Sequence, residues 1–370
     1  MKNQLLHTPD GVRDIYNEEC ARKLVLQERM REVFASCGYK DIQTPTFEFF
    51  DIFNKERGSV ASRELFKFFD RDGNTLVLRP DITPSVARAA TKYFGEEDMP
   101  VRLCYEGNTY INNSSYQGRL KEVTQLGCEL IGDSSVEADA ELIVMVIQCM
   151  KKAGLKDFQV QIGEVNYFNG LIAAAGIDEE VEAELRELIE EKNYFGVEAL
   201  LAKTKVDEKI KKALLGMGDL FGEDDVLAKA KANTDNAVAL KAVERLEQLY
   251  DVLKMYKLEK HVSFELDMLG KYNYYTGIIF RAYTYGTGDA IITGGRYDNL
   301  MGQFGKDAPS IGFAIVMNRL MLALSSQKIE VEIPKAATVL YYDDENLQAT
   351  IEKACALREQ GERVELVRKK

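Results

Sequence analysis

Near the start of the chain, apolar residues recur at Leu24, Leu26, Met30, Val33 and Phe34. This is close to the repeat of a helix and predicts an amphipathic helix over residues 15–37, with Gly38 as its stop. YKDIQTPTFEFF then reads as extended chain around Pro45. TLVLRPDITPSVARAA predicts a short strand running into a helix, and RLCYEGNTYI and EVTQLGCELIG predict two strands joined by a polar loop, Asn112–Gly118. Ser134 and Glu137 have capping-box spacing ahead of an apolar helix that ends at Gly154. DFQVQIGEV alternates as a strand does.

Residues 170–258 change texture. They are rich in Glu, Lys, Ala and Leu without strand signal, and predict a helical insertion whose charge runs, such as EVEAELRELIEEK, face solvent. Strand character returns in HVSFELDM. TGIIFRAYTYGTGDAIITGGRY predicts two strands turning at Gly286-Thr287-Gly288-Asp289. SIGFAIVMNRLMLAL reads as strand into helix, and the segment after Pro334 as strand–helix–strand. Strands joined by short turns imply an α+β fold with a mainly antiparallel sheet flanked by helices. The expected organisation is a core of residues 1–169 and 259–325, the insertion at 170–258, and a short α/β tail at 326–370.

Composition narrows the function. A chain of 370 residues with 46% hydrophobic and 29% charged residues can bury a large core in two or three units. Its net charge of −12, from 48 basic and 60 acidic residues, argues against gripping a polyanion such as tRNA. No long apolar run occurs and MKNQLLHTPDG lacks the core of a signal peptide, so no membrane role and a cytoplasmic location are expected. The six cysteines form no C-x-x-C pair and read as reduced, buried thiols. The two histidines, His7 and His261, lie far apart, so no metal site is expected. GGRYDNLMG matches neither common phosphate-cradling glycine motif, and no cofactor is implied.

Four segments in order resemble the catalytic domain of histidyl-tRNA synthetases. They are TPDGVRD with GYKDIQTPTFE, then LRPDITPSVAR, then EGNTY…GRLKEVTQLGCELIG, then YNYYTGIIF with GGRYDNLMG and SIGFAIVMNRL. QLGCE, YYTG and GGRYD are specific in combination. The resemblance covers about residues 5–325 and implies a class II aminoacyl-tRNA synthetase-like fold that works as a dimer.

By position, the resemblance places a free-histidine pocket on Asp81, Thr83, Gln125, Glu129, Tyr275 and Tyr297. The chemistry suits that ligand: a ring N–H wants a buried acceptor such as Glu129, the α-ammonium wants an anion such as Asp81, and a phenol can pack against the imidazole. Asp81 is one methylene shorter than the Glu usual in the family. Simpler readings stand beside these. Asp81 also suits a helix N-cap, and Gln125 and Glu129 could be a polar pair satisfied within the sheet. Tyr272, Tyr274 and Tyr283 read as packing residues, and Arg296 as an anchor for the glycine turn of GGRYD.

The departures carry the functional expectation. Amino-acid activation places negative charge on the ATP α-phosphate, which two arginines of a synthetase meet. Those positions here are Ile111 and Gly270, and the family's acidic partner falls on Asn113. Lys271 is out of register. A preorganised donor is worth about 10²–10³ in rate, and neither Ile nor Gly replaces a guanidinium fork. Beside the simpler reading that it pairs with a surface acid, Arg319 remains from the third family motif as a nucleotide or anion contact. Arg119, on the polar loop with Lys121, is another, although a solvated loop accounts for both. A synthetase scaffold that keeps the histidine pocket and loses activation resembles the regulatory subunits of ATP phosphoribosyltransferase. The resemblance implies a chain without activity of its own, joined as a homodimer to short-form catalytic subunits in a hetero-octamer. It implies that the chain is needed for their activity and for feedback inhibition by histidine, at the first step of histidine biosynthesis. A divergent histidyl-tRNA synthetase and an amino-acid- or tRNA-sensing module stay open as alternatives.

Overall fold

The computed structural model describes residues 6–53, 60–113, 120–270 and 275–369. The chain divides into two units, residues 1–14 with 26–330, and residues 15–25 with 331–370.

Along the chain, helix α1 (Asn17–Ser36) ends before Gly38, whose φ of +81° suits glycine. It buries Leu26, Met30, Val33 and Phe34, but Leu24 is exposed, so the apolar stripe is narrower than its composition implies. The extended stretch that follows is broken into two short strands, β1 (Lys40–Asp41) and β2 (Phe47–Phe49), with Pro45 between them. Proline has no N–H to extend a ladder, which accounts for the break. Strands β3 (Lys67–Phe69) and β4 (Thr75–Leu78) join β2 in a small sheet of order β2-β4-β3. Then come α2 (Thr83–Tyr93), β5 (Val101–Tyr110), β6 (Glu122–Ile131) and α3 (Val136–Ala153).

The cap of α3 differs from the expected one. Ser135, not Ser134, is the N-cap, and its hydroxyl accepts from the Ala138 N–H at 3.1 Å. Asp133 decides this by accepting from both the N–H and the hydroxyl of Ser135. α3 ends at Gly154 with φ of +105°, as expected.

Strand β7 (Phe158–Glu164) leads into α4 (Val165–Ala175), α5 (Glu179–Glu190), α6 (Tyr194–Leu201), α7 (Glu208–Gly216), the two-residue β8 (Phe221–Gly222), α8 (Asp225–Asn233) and α9 (Ala237–Met255). Strands β9 (Val262–Glu265), β10 (Ile278–Thr284), β11 (Ile292–Arg296) and β12 (Ser310–Val316), then α10 (Met317–Ser326), follow.

Among the described residues these strands form one sheet of order β1-β5-β6-β12-β11-β10-β7-β9-β8. It is antiparallel except for β1–β5 and β7–β9. The second exception follows from connectivity: the helical run between β7 and β9 is a crossover that returns the chain in the same direction. α3 packs on β7, β10 and β12, with Leu142, Ile143, Met145, Val146 and Ile147 fully buried. Each such side chain contributes about 1.5–3 kcal/mol. In α1, Phe34 meets Phe313 of β12 edge-on at 5.9 Å. Helix α2 packs on Val101, Leu103 and Tyr105 of β5. The second unit contains β13 (Thr338–Tyr342), α11 (Leu347–Glu359) and β14 (Val364–Arg368); the two strands are parallel and α11 lies against both.

Candidate functional site

Residues directly opposite one another in a sheet share a face. The register runs Leu103↔Glu129↔Gly312↔Gly295↔Ile279, so Glu129 of β6 faces two glycines in the next two strands. A Cβ on Gly312 would fall 1.6 Å from Glu129 Oε2, and one on Gly295 2.7 Å from the Tyr275 ring. The glycines therefore leave a trough in the middle of the sheet. The trough is the floor of a cleft lined by Asp81, Thr83, Gln125, Glu129, Tyr275 and Tyr297, with Ile111, Thr293 and Ala314 among the remaining walls. All six residues expected for the histidine pocket thus meet in one place.

They arrive from four separate segments of the chain. Asp81 and Thr83 stand at the N-terminus of α2, where Asp81 Oδ1 accepts from the N–H groups of Ile82 at 2.7 Å and Thr83 at 3.3 Å. The N-cap of α2 is Ile82, not Asp81; Asp81 lies one residue earlier, satisfies two N–H groups at the helix start and also borders the cleft. Gln125, Gly127 and Glu129 alternate onto one face of β6. Tyr297 follows β11, its N–H bonded to the Ser310 carbonyl at 2.8 Å.

Glu129 is only 1% exposed. The Thr83 hydroxyl donates to Oε1 at 2.7 Å and the Tyr297 phenol donates to Oε2. Burial raises its pKa to about 8, against the pull of these two donors and with help from the charge of Asp81. Tyr105, fully buried beside Glu129 and Asp81, is pushed above the usual phenol range, first by burial and then by those charges. Gln125 Oε1 is buried without a hydrogen-bond partner. A buried amide carbonyl left unpaired costs about 1–3 kcal/mol, so it is poised to accept from a ligand. Among the described residues lining the cleft there are two carboxyls and no Arg or Lys. Its field favours a cationic or N–H-rich ligand and disfavours phosphate.

Both lost arginine positions take definite forms. Ile111 is an apolar wall of the cleft. Gly270 is not in a strand, contrary to the register argument; it is a left-handed turn with φ of +81°. A Cβ there would meet Ile279 Cδ1 at 2.7 Å and Tyr275 Cδ2 at 2.9 Å, so no side chain fits without a shift of the backbone or its neighbours. Lys271, Tyr272, Tyr274 and Arg119 lie outside the described residues. Arg319 is not brought to the cleft lining. It donates to the Ala290 carbonyl at 2.8 Å and pairs with Asp289 at 3.1 Å. Arg296 is structural, as expected, but the two glycines before it lie in β11, not in a turn. It is buried between Asp139, the Asp133 carbonyl and Asp298.

The model of the histidyl-tRNA synthetase family matches residues 11–320. An ATP phosphoribosyltransferase regulatory subunit from Acetivibrio thermocellus is 40% identical over 361 residues, which is 98% of this chain and 86% of that protein. The chain belongs to the ATP phosphoribosyltransferase regulatory subunit family. A crystal structure described as an ATP phosphoribosyltransferase regulatory subunit/histidyl-tRNA synthetase from Bacillus halodurans superposes with a TM-score of 0.89 at 32% identity, covering 98% of this chain and 93% of that one. Histidyl-tRNA synthetase from Nostoc sp. PCC 7120, at 21% identity, 99% and 86% coverage and a TM-score of 0.82, shares the class II fold.

Family membership agrees with a site whose two expected arginine positions are Ile111 and Gly270. The sequence reading missed the floor and back of the site: Gly295, Gly312, Thr293, Ala314 and Tyr105. The two strand glycines carried a usable signal, since glycine inside a strand marks close approach of another group. Tyr105 carried none, because only the strand pairing places it opposite Gly127. One smaller expectation also changes. Among the cysteines, Cys20 and Cys37 are half-buried and Cys355 is exposed, while Cys104, Cys128 and Cys149 are buried free thiols. Among the described residues no helix is long and apolar enough to cross a membrane, and no group of His, Cys, Asp and Glu could hold a metal ion.

Proposed function

We propose that the cleft binds free histidine and that the chain is a non-catalytic regulatory subunit of ATP phosphoribosyltransferase. It would act on a short-form catalytic subunit, be required for its full activity, and convey feedback inhibition by histidine. The observation that carries the reading is a hydroxyl-bracketed, buried Glu129 beside the unpartnered carbonyl of Gln125 in a cleft walled by Ile111, with Gly270 at the other arginine position.

In this reading an imidazole N–H donates to Glu129, the α-ammonium lies toward Asp81, and Gln125 Oε1 accepts a remaining N–H. Tyr275 and Tyr297 pack against the ring. A ligand N–H or positive charge beside Glu129 favours its ionised form, so binding draws its carboxyl down from about 8. With Ile111 and Gly270 at the two arginine positions, activation of the bound amino acid lacks the guanidinium groups that would support it. Feedback then requires histidine to bind the inhibited assembly better than the active one. A homodimer of this chain within a hetero-octamer of four regulatory and four catalytic chains is the arrangement the family resemblance implies.

The test is the ATP phosphoribosyltransferase rate of a short-form catalytic subunit with and without this chain, titrating histidine. Activation by the chain, reversed by histidine, is the expected result. A rate indifferent to the chain would sink the regulatory role. Histidine-dependent ATP–pyrophosphate exchange by the chain alone would overturn its lack of activity.

A further inference from the structure

The segment that leads from β9 toward the cleft is tied to the corner between α5 and α6. Lys192, left-handed at φ of 58°, pairs through Nζ with Glu265 at 2.6 Å and with Asp267. The Tyr194 phenol donates to Asp267 at 2.8 Å. Glu190, the last residue of α5, reaches further: its Oε1 accepts from the N–H groups of both Leu269 and Gly270, and its Oε2 faces Arg281 of β10 at 3.4 Å. A left-handed lysine costs on the order of 1 kcal/mol and persists where its surroundings over-determine it. Here the two carboxylates on the facing segment do so.

The Gly270 turn held in this way backs the Tyr275 ring, which lines the cleft. The Tyr275 ring lies between two glycines: a Cβ on Gly270 would be 2.9 Å from Cδ2, and one on Gly295 would be 2.7 Å from Cδ1. The ring packs on bare backbone on both sides. The Gly295 side is fixed by the ladders of β11 with β10 and β12. The Gly270 side lies outside any strand, and its N–H and that of Leu269 are held by one carboxylate oxygen.

We propose that Glu190 is a positioning residue of the cleft: it fixes the backbone wall that seats the Tyr275 ring, and through that ring it sets the affinity for the amino-acid ligand. The inference rests on the reading that the cleft binds histidine. It makes the end of α5 a point where a displacement of the helical segment reaches the ligand without touching it. What the carboxylate supplies is a correctly placed acceptor for two N–H groups. Its charge is balanced by Arg281.

The experiment uses the full chain as wild type, Glu190→Gln, Glu190→Asp and Glu190→Ala, with histidine titrated by calorimetry and with the Tyr275 environment read by ¹⁹F NMR of a fluorotyrosine placed there. Loss of a hydrogen bond to a charged group predicts about tenfold weaker binding for E190A. E190D, which keeps the charge and retracts the acceptor by one methylene, is expected to weaken binding several-fold and serves if E190A does not fold. E190Q, which keeps the acceptor in place, is expected to stay within about twofold of wild type. E190A or E190D binding as wild type does, or E190Q failing to rescue, would overturn the positioning role. If wild type does not bind histidine, the reading of the cleft fails instead. The fluorine resonance then decides the inference by itself: a shift in E190A and E190D but not E190Q supports it, and an unmoved resonance rejects it.

Discussion

Replacing Glu129 by Gln tests the electrostatics of the cleft without removing its shape. Burial raises the Glu129 pKa from the ordinary 4.5 to about 8. Between those values the native carboxyl keeps a proton that the unfolded one has released. Folding stability therefore falls as pH rises through this window, by about 1.4 kcal/mol for each pH unit. The contribution is fully present below pH 4.5, is lost progressively toward pH 8, and is flat above it. Across the whole window the loss is on the order of 5 kcal/mol as an upper bound, a large share of the roughly 5–15 kcal/mol that domains possess. Gln carries no such proton, yet keeps an oxygen for Thr83 and an amide that can donate to the Tyr297 oxygen. The two proteins should be nearly equally stable at pH 5. By pH 9 E129Q should be the more stable by several kcal/mol. Urea unfolding of both proteins at pH 5, 7 and 9 measures this, and taking their difference cancels Glu164, whose pKa burial raises to about 7 with the same sign. The same substitution should weaken histidine binding at least tenfold, because the anion is what the ligand completes. A stability difference independent of pH would refute the account of Glu129, whatever happened to binding.

Three further outcomes are expected. Arg296→Ala leaves the fully buried Asp139 with Arg245 as its remaining cation, and should cost on the order of 3–5 kcal/mol in urea unfolding. Ser135→Ala should cost about 1 kcal/mol through the lost cap of α3 while Ser134→Ala is nearly neutral, a contrast that thermal unfolding resolves. Ile111→Arg should leave histidine-dependent ATP–pyrophosphate exchange undetectable, since the second arginine position is the left-handed Gly270 packed on Ile279 and Tyr275; measurable exchange would show that one guanidinium suffices.

Much of the molecule was legible in local pattern. The alternation of DFQVQIGEV, the turn-bounded strand signal of TGIIFRAYT, the helical spacing of α1 and the glycine stops at Gly38 and Gly154 depend on neighbours a few residues apart, and the structure keeps them. The six pocket residues were legible because short motifs travel as units and their order along the chain was intact. What went wrong did so where a distant or competing group decided. Leu24 fits the helical period but is exposed. Ser134 fits a capping box, but Asp133 orients the neighbouring Ser135 instead. Of the two readings of Arg319, the structure shows the pairing with a surface acid, Asp289, together with a bond to the Ala290 carbonyl.

The sequence by itself determined the elements, the mainly antiparallel character of the sheet, and the loss of two guanidinium groups, because propensity, periodicity and side-chain charge are properties of residues. Only the tertiary structure decided that β7 and β9 run parallel, that Gly295 and Gly312 open a trough opposite Glu129, and that the position of a lost arginine is a backbone turn clamped by Glu190. These are matters of register and close approach between segments far apart along the chain. The free energy that fixes them comes from contacts that exist only once the sheet has formed.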